Sequence, residues 1–406
     1  MCTRKAASAE LVIDTGILGD DMMQGENIVC FANDWQSDPT SKHQVMKILS
    51  RTNKVLWVNS IGLRRPAATV HDVNRIMRKV RQFCQGPVSI SPNMRVLTPL
   101  VIPFHGLPGS QTLNELLISR YVRAHARKFG MDHFQLWSFL PTTAPLVRHL
   151  KPDKVIYYCV DEWSAFTYLD GRLMRNLENS MIAQSNLVIT SAEALYQSKL
   201  HLHPHTYLVP HGVDSEHFAG VRSQATEVAP EVKDLPRPVI GFWGLIHEWI
   251  DFELLEHVAK RHPEWSLVLI GKTDVDCATL RKLPNVHFVG QRQYSSLPGY
   301  AKGFTAAILP FKMNRLTENV NPIKLQEYLA AGLPVVSTAL PEVKKYASVV
   351  RIAATADEFV KMLEEAILDT GEVAVKRRME AVCKETWLGR VEHISTLVEN
   401  IFGNGR

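Results

Sequence analysis

Asn321-Pro-Ile-Lys-Leu-Gln-Glu-Tyr-Leu-Ala-Ala-Gly-Leu-Pro-Val-Val-Ser-Thr338 decides how this 406-residue chain is read. Asn321 is expected as a helix N-cap, with Pro322 at the first helical position, where its missing N–H costs nothing. Leu325, Leu329 and the alanines favour the helix, Gly332 should stop it, and Pro334-Val-Val reads as a short buried strand. A loop feeding the start of a helix leaves backbone N–H groups and a positive dipole end aimed at one place. Lys324 adds a full charge in that first turn, and Glu327 follows at i+3. Such an arrangement would grip a pyrophosphate, offer a carboxylate to neighbouring hydroxyls, and so suit a nucleotide sugar.

Outward from this block the chain alternates strands and helices. Ile28–Ala32, Val55–Asn59, Val96–Thr98, Phe134–Trp137, Val155–Val160 and Leu187–Thr190 are apolar runs with helical stretches between several of them. Continuous apolar strands separated by helices predict a parallel sheet covered on both faces. The polar, proline-bearing segment Ser223–Pro238 reads as a linker, and a second alternating series starts at Pro238-Val-Ile-Gly-Phe-Trp. The expected fold is α/β, with two doubly wound Rossmann-like domains and a cleft between them. Residues 1–220 would form the first domain, 221–385 the second, and 386–406 a helix returning to the first. Ligands in such folds bind beyond the carboxyl ends of the strands.

The composition is globular, with 46% hydrophobic and 21% charged residues. Six scattered cysteines without a C-x-x-C pair suit buried thiols in a reducing compartment. The N-terminus lacks an apolar signal core, and no run approaches the ~18 apolar residues of a membrane span. Net charge is +5 and uneven: Arg51 to Lys128 holds thirteen Lys/Arg against two acids. Val73, Ile76, Met77, Val80 and Phe83 fall at helical spacing among Arg75, Arg78, Lys79 and Arg81. With Arg64, Arg65, Arg120, Arg123, Arg127 and Lys128, this basic amphipathic pattern predicts contact with a membrane surface. No nucleic-acid-binding motif accompanies it, and the expected location is the cytoplasmic face of the membrane.

Gly241-Phe-Trp-Gly244, Leu269-Ile-Gly271, Val289-Gly290, Leu309-Pro-Phe311 and the Asn321–Thr338 block resemble, in order and spacing, the donor domain of GT-B glycosyltransferases. His211-Gly-Val-Asp214 resembles the crossover at the end of their acceptor domain. The likeness is nearest to bacterial exopolysaccharide transferases, including the glucuronosyltransferase type of xanthan assembly. It implies a nucleoside-diphosphate sugar donor, with no cofactor and no metal required, and a lipid-linked glycan acceptor. By that resemblance Lys324 would hold the diphosphate, Glu327 the ribose or sugar hydroxyls, and Phe311 would line the donor pocket. Asn321 and Ile323 complete the donor set, and Gly244 would let the backbone approach the phosphates. Retaining members carry two glutamates eight apart; Glu327 matches the second, whereas Asn319 stands at the first.

Asp161, after the strand Val155–Val160, matches the place of the catalytic aspartate in the glucuronosyltransferase type. A carboxylate there could take the proton of an acceptor hydroxyl in an inverting transfer. The same residue could simply cap a helix. Glu162 is the second candidate base and Glu178 the third. Asp274-Val-Asp276 could bind a divalent cation but reads better as a polar loop, and so does His201-Leu-His203-Pro-His205. Trp35 sits on a loop that could meet acceptor sugar. The alternatives are a retaining transferase without an Asp161 base, a nucleotide-sugar epimerase of the same fold, and a non-catalytic sugar-binding relative.

Overall fold

The computed structural model describes residues 22–37, 39–61, 70–101 and 110–403. Two sheets organise them. The first holds β1 (Asn27–Phe31), β2 (Lys54–Val58), β3 (Val88–Ser91), β4 (Met94–Leu97), β5 (Gln135–Ser138), β6 (Lys154–Cys159), β7 (Leu187–Thr190) and β8 (Thr206–Leu208), in the order β3-β4-β2-β1-β5-β6-β7-β8. The second holds β9 (Val239–Trp243), β10 (Ser266–Ile270), β11 (Val286–Gly290), β12 (Ala306–Leu309), β13 (Val335–Thr338) and β14 (Arg351–Ala353), ordered β11-β10-β9-β12-β13-β14. Among the strand pairs of the described residues, β3–β4 alone is antiparallel.

Alternation along β1 shows why these apolar runs become doubly covered strands. Ile28 and Cys30 point into one core and Val29 and Phe31 into the other. Helix Ser41–Leu49 covers the first face with Val45, Met46 and Leu49, and helix Ser110–Lys128 covers the second with Ile118, Val122 and Ala126. The last helix, Trp387–Phe402, crosses back and puts Trp387, Val391, Ile394 and Val398 into the first domain's core.

Each sheet reverses its strand order once, between β1 and β5 in the first and between β9 and β12 in the second. The loops leaving those strands diverge and open a crevice. Both crevices face the junction of the lobes. There Asn321 Nδ2 donates to Ser191 O at 2.9 Å, and Arg315 lies 3.4 Å from Glu162. The Glu193 N–H donates to Glu342 Oε1 at 2.8 Å. Trp163, Phe166, Leu316 and Trp249 add an apolar contact between the lobes.

Candidate active site

Helix Ile323–Ala330 begins beyond β12 and ends at Gly332, whose φ of +75° only glycine adopts freely. Its start departs from the sequence expectation. Asn321 does not cap it, because its amide is spent on Ser191 across the lobes, and Pro322 takes the cap position without a side-chain bond. Lys324 sits in the first turn as expected, its ammonium 3.1 Å from Glu327. Glu327 is 3% exposed and also accepts a 2.7 Å bond from Trp243 Nε1, so β9 fixes the carboxylate's orientation. Tyr328 OH accepts from the Trp243 N–H at 2.9 Å and ties strand and helix together. The sequence reading assigned neither Trp243 nor Tyr328, since an aromatic at a strand end reads as core.

Gly244 follows β9 at φ +150°, with the Lys324 side chain 3.8 Å from where its Cβ would stand. Gly271, after β10, reaches φ +147°, and a Cβ there would meet Gly244 O at 1.8 Å. The two turns therefore pack backbone to backbone beside Lys324. Phe311 departs from its expected role as a pocket wall. It is buried in the second domain's core, its ring 6.4 Å from Phe242, which underlies Gly244. Ile323 packs against the first domain's core and carries the helix start to the other lobe.

Asp161 leaves β6 in that facing lobe. Ser191 links the two lobes, its hydroxyl on Val160 O and its own carbonyl on Asn321. Burial pushes the Asp161 carboxyl above the usual range, and Lys42 pulls it back. Its side chain caps no helix: Glu162 holds the cap position of the turn Trp163–Ala165, without a side-chain bond. Trp163 and His211 both lie near Lys42, and Trp163 follows Asp161 by two residues. Lys42 is 8% exposed, with its ammonium 5.7 Å from the Trp163 ring centre. His211 is buried, and burial with Lys42 and Arg390 nearby lowers its pKa to about 3, so it is neutral. Trp163 Nε1 and His211 Nδ1 are buried without a protein partner.

The other proposed bases are already engaged. Glu178 accepts from Tyr157 OH at 2.7 Å, and Lys199 stands between Glu178 and Glu162 at 3.5 and 3.7 Å. Trp35 is not an open sugar platform: its ring packs 5.0 Å from both His43 and Trp57. Asp274 pairs with Lys272, Asp276 caps Ala278, and His203 bonds to Ser185 O.

The basic region is only partly exposed. Lys79 departs from its expected place on a membrane-facing surface, because it binds Asp34 at 2.9 Å and Ser60 O at 2.6 Å. Arg123 is pinned to Leu150 O. Arg78 and Arg120 are exposed, as are Met77, Val80, Leu113, Leu116 and Leu117. Phe83 and Tyr121, 4.9 Å apart, join the two helices that carry them. Arg64, Arg65 and the Arg75 side chain lie outside the described residues. Among the described residues no helix is long and apolar enough to cross a membrane.

Residues 237–369 match the family model of glycosyl transferases group 1. Over 229 residues the chain is 30% identical to TuaH of Bacillus subtilis (strain 168), provisionally named a teichuronic acid biosynthesis glycosyltransferase. That match covers 52% of this chain and 56% of TuaH, so the chain spans little more than half of that relative. Among solved structures, sucrose-phosphate synthase from Thermosynechococcus elongatus superposes with a TM-score of 0.67 at 14% identity, covering 93% of this chain and 99% of that one. HepE from Anabaena, in complex with UDP and glucose, also gives 0.67, at 12% identity over 93% and 100%. The fold is GT-B, and residues 237–369 are similar to a group 1 glycosyltransferase domain.

Proposed function

We propose, for a GT-B chain carrying a group 1 glycosyltransferase domain, that it moves a sugar from a nucleoside diphosphate to a glycan hydroxyl in polysaccharide biosynthesis. One observation carries this reading. A lysine-bearing helix start beside two close-packed glycine turns faces, across the lobe junction, a lobe that presents the half-buried Asp161 carboxylate. Lys324 and the free N–H groups of the helix start stabilise the diphosphate as negative charge develops on its bridging oxygen. Glu327, oriented by Trp243, accepts hydroxyls of the ribose or sugar. Asp161 takes the acceptor proton as the new glycosidic bond forms and the anomeric carbon–phosphate bond breaks, which inverts that carbon. Uridine is the favoured base, in line with the UDP held by HepE.

A lipid-linked acceptor fits the first lobe. Exposed Met77, Val80, Leu113, Leu116 and Leu117 lie among exposed Arg78 and Arg120, a pairing suited to an anionic bilayer surface. The enzyme would then work at the cytoplasmic face of the membrane. The test is donor consumption with UDP-glucuronate, UDP-glucose and GDP-mannose, with and without lipid-diphosphate glycans, for wild type and Asp161→Asn. Turnover should fall roughly 10²–10⁴-fold in the variant with donor affinity unchanged. A near-normal rate would remove Asp161 as the base, and acceptor-independent conversion of the donor sugar would mark an epimerase.

A further inference from the structure

We infer that Arg315 is a positioning residue: from the second lobe it completes a buried charge cluster of the first, and so holds the segment that carries Asp161. The segment between β6 and the helix Gly171–Gln184 has little regular structure of its own, a single 3₁₀ turn at Trp163–Ala165. Contacts therefore set its course, and the second lobe supplies them on either side of Asp161. Before it, Asn321 Nδ2 donates to Ser191 O, and the Ser191 hydroxyl donates to Val160 O at 3.4 Å. After it, Arg315 Nη2 donates to Glu162 Oε1 at 3.4 Å. Farther along, the Thr167 hydroxyl donates to Glu248, and the rings of Phe166 and Trp249 meet edge to face at 6.4 Å.

Charge makes Arg315 the decisive member of this set. Glu162 and Glu178 are buried, and the buried Lys199 stands 3.7 Å from the first and 3.5 Å from the second. Among the described residues, Lys199 is the one cation of the first lobe within ion-pair distance of either carboxylate. Two buried carboxylates thus share one ammonium, and a buried charge without a counter-charge is strongly destabilising. Arg315 supplies the second positive charge, and it does so only where the lobes meet. Its loop is built to present it. Asn314 Oδ1 accepts from the N–H groups of Leu316 and Thr317 at 2.9 and 3.1 Å, and Asn319 Nδ2 donates to Arg315 O at 2.8 Å. Leu316 then packs with Trp163 and Phe166 of the held segment.

The effect of Arg315 on turnover rests on the reading of Asp161 as base; its hold on the segment does not. Hydrogen–deuterium exchange on the full chain reads that hold directly. Arg315→Glu sets a like charge against Glu162, so residues 160–169 should exchange several-fold faster while β5 and β7 are unchanged. With donor and acceptor present, kcat should fall at least ~10-fold with donor KM unchanged. Arg315→Lys should stay within about three-fold of wild type, because a single contact through one nitrogen asks for a point charge rather than a planar fork. In a Glu162→Gln background, Arg315→Glu should add little to either readout, since the repulsion is gone. Unchanged exchange in Arg315→Glu, or an equal loss with and without the Glu162 carboxylate, overturns the inference. A raised donor KM at constant kcat overturns it too, and marks Arg315 as a donor contact. Faster exchange together with near-normal turnover in Asp161→Asn would leave the hold standing and remove only the base.

Discussion

Lys324 and Glu327 illustrate how one side chain can serve both stability and binding. With a nearly buried carboxylate 3.1 Å away, Lys324 neutralises Glu327 and leaves ammonium protons free for an anionic ligand. Lys324→Ala removes a charged partner of any bound diphosphate. A hydrogen bond to a charged group contributes about 1.5–3 kcal/mol, so the UDP dissociation constant should rise roughly 10- to 150-fold. Calorimetry with UDP checks this, and unchanged affinity would withdraw the assignment. Legibility at this scale was uneven. Lys324 and Glu327 lie within one helical turn, and i,i+3 spacing displays their pairing. Asn321 and Ser191 are 130 positions apart, and nothing local connects them.

The elements formed where apolar periodicity placed them, while their ends followed tertiary needs. Helix Ile323–Ala330 starts two residues after Asn321 because the asparagine amide is worth more as a bond between lobes than as a cap. Helix Val70–Gln85 shows the opposite balance. It exposes Met77 and Val80 rather than burying them, yet Lys79 turns inward to Asp34 and Ser60. If this surface meets a bilayer, Met77→Glu should weaken sedimentation with vesicles containing anionic lipid several-fold, through lost apolar burial and added repulsion. Binding to neutral vesicles should be weak for both proteins. Equal sedimentation of variant and wild type would take this helix out of the membrane reading.

Across the whole molecule, buried neutral histidines tie stability to pH. His43 and His211 each have a folded pKa of about 3 against an ordinary 6.5, so between those values the unfolded chain binds protons that the native chain refuses. Stability from these residues is therefore complete above about pH 6.5 and is lost as pH falls towards 3. Thermal melts between pH 7 and 4 should show a steadily falling midpoint, with a shallower decline in His43→Gln. A parallel decline in both proteins would show that other groups govern acid unfolding.

By itself the amino-acid order determined two largely parallel sheets and the lysine–glutamate helix start, because continuous apolar runs, period-3.6 burial and glycine stops are written within a few consecutive residues. Only the tertiary structure decided which charge answers which. Lys199 meets Glu162 and Glu178 within the first lobe, and Asn321 reaches Ser191 across the lobe junction, because the fold brings residues distant in the chain together. Burial makes each of those pairings energetically compulsory, and burial is a property of the assembled lobes rather than of any local pattern.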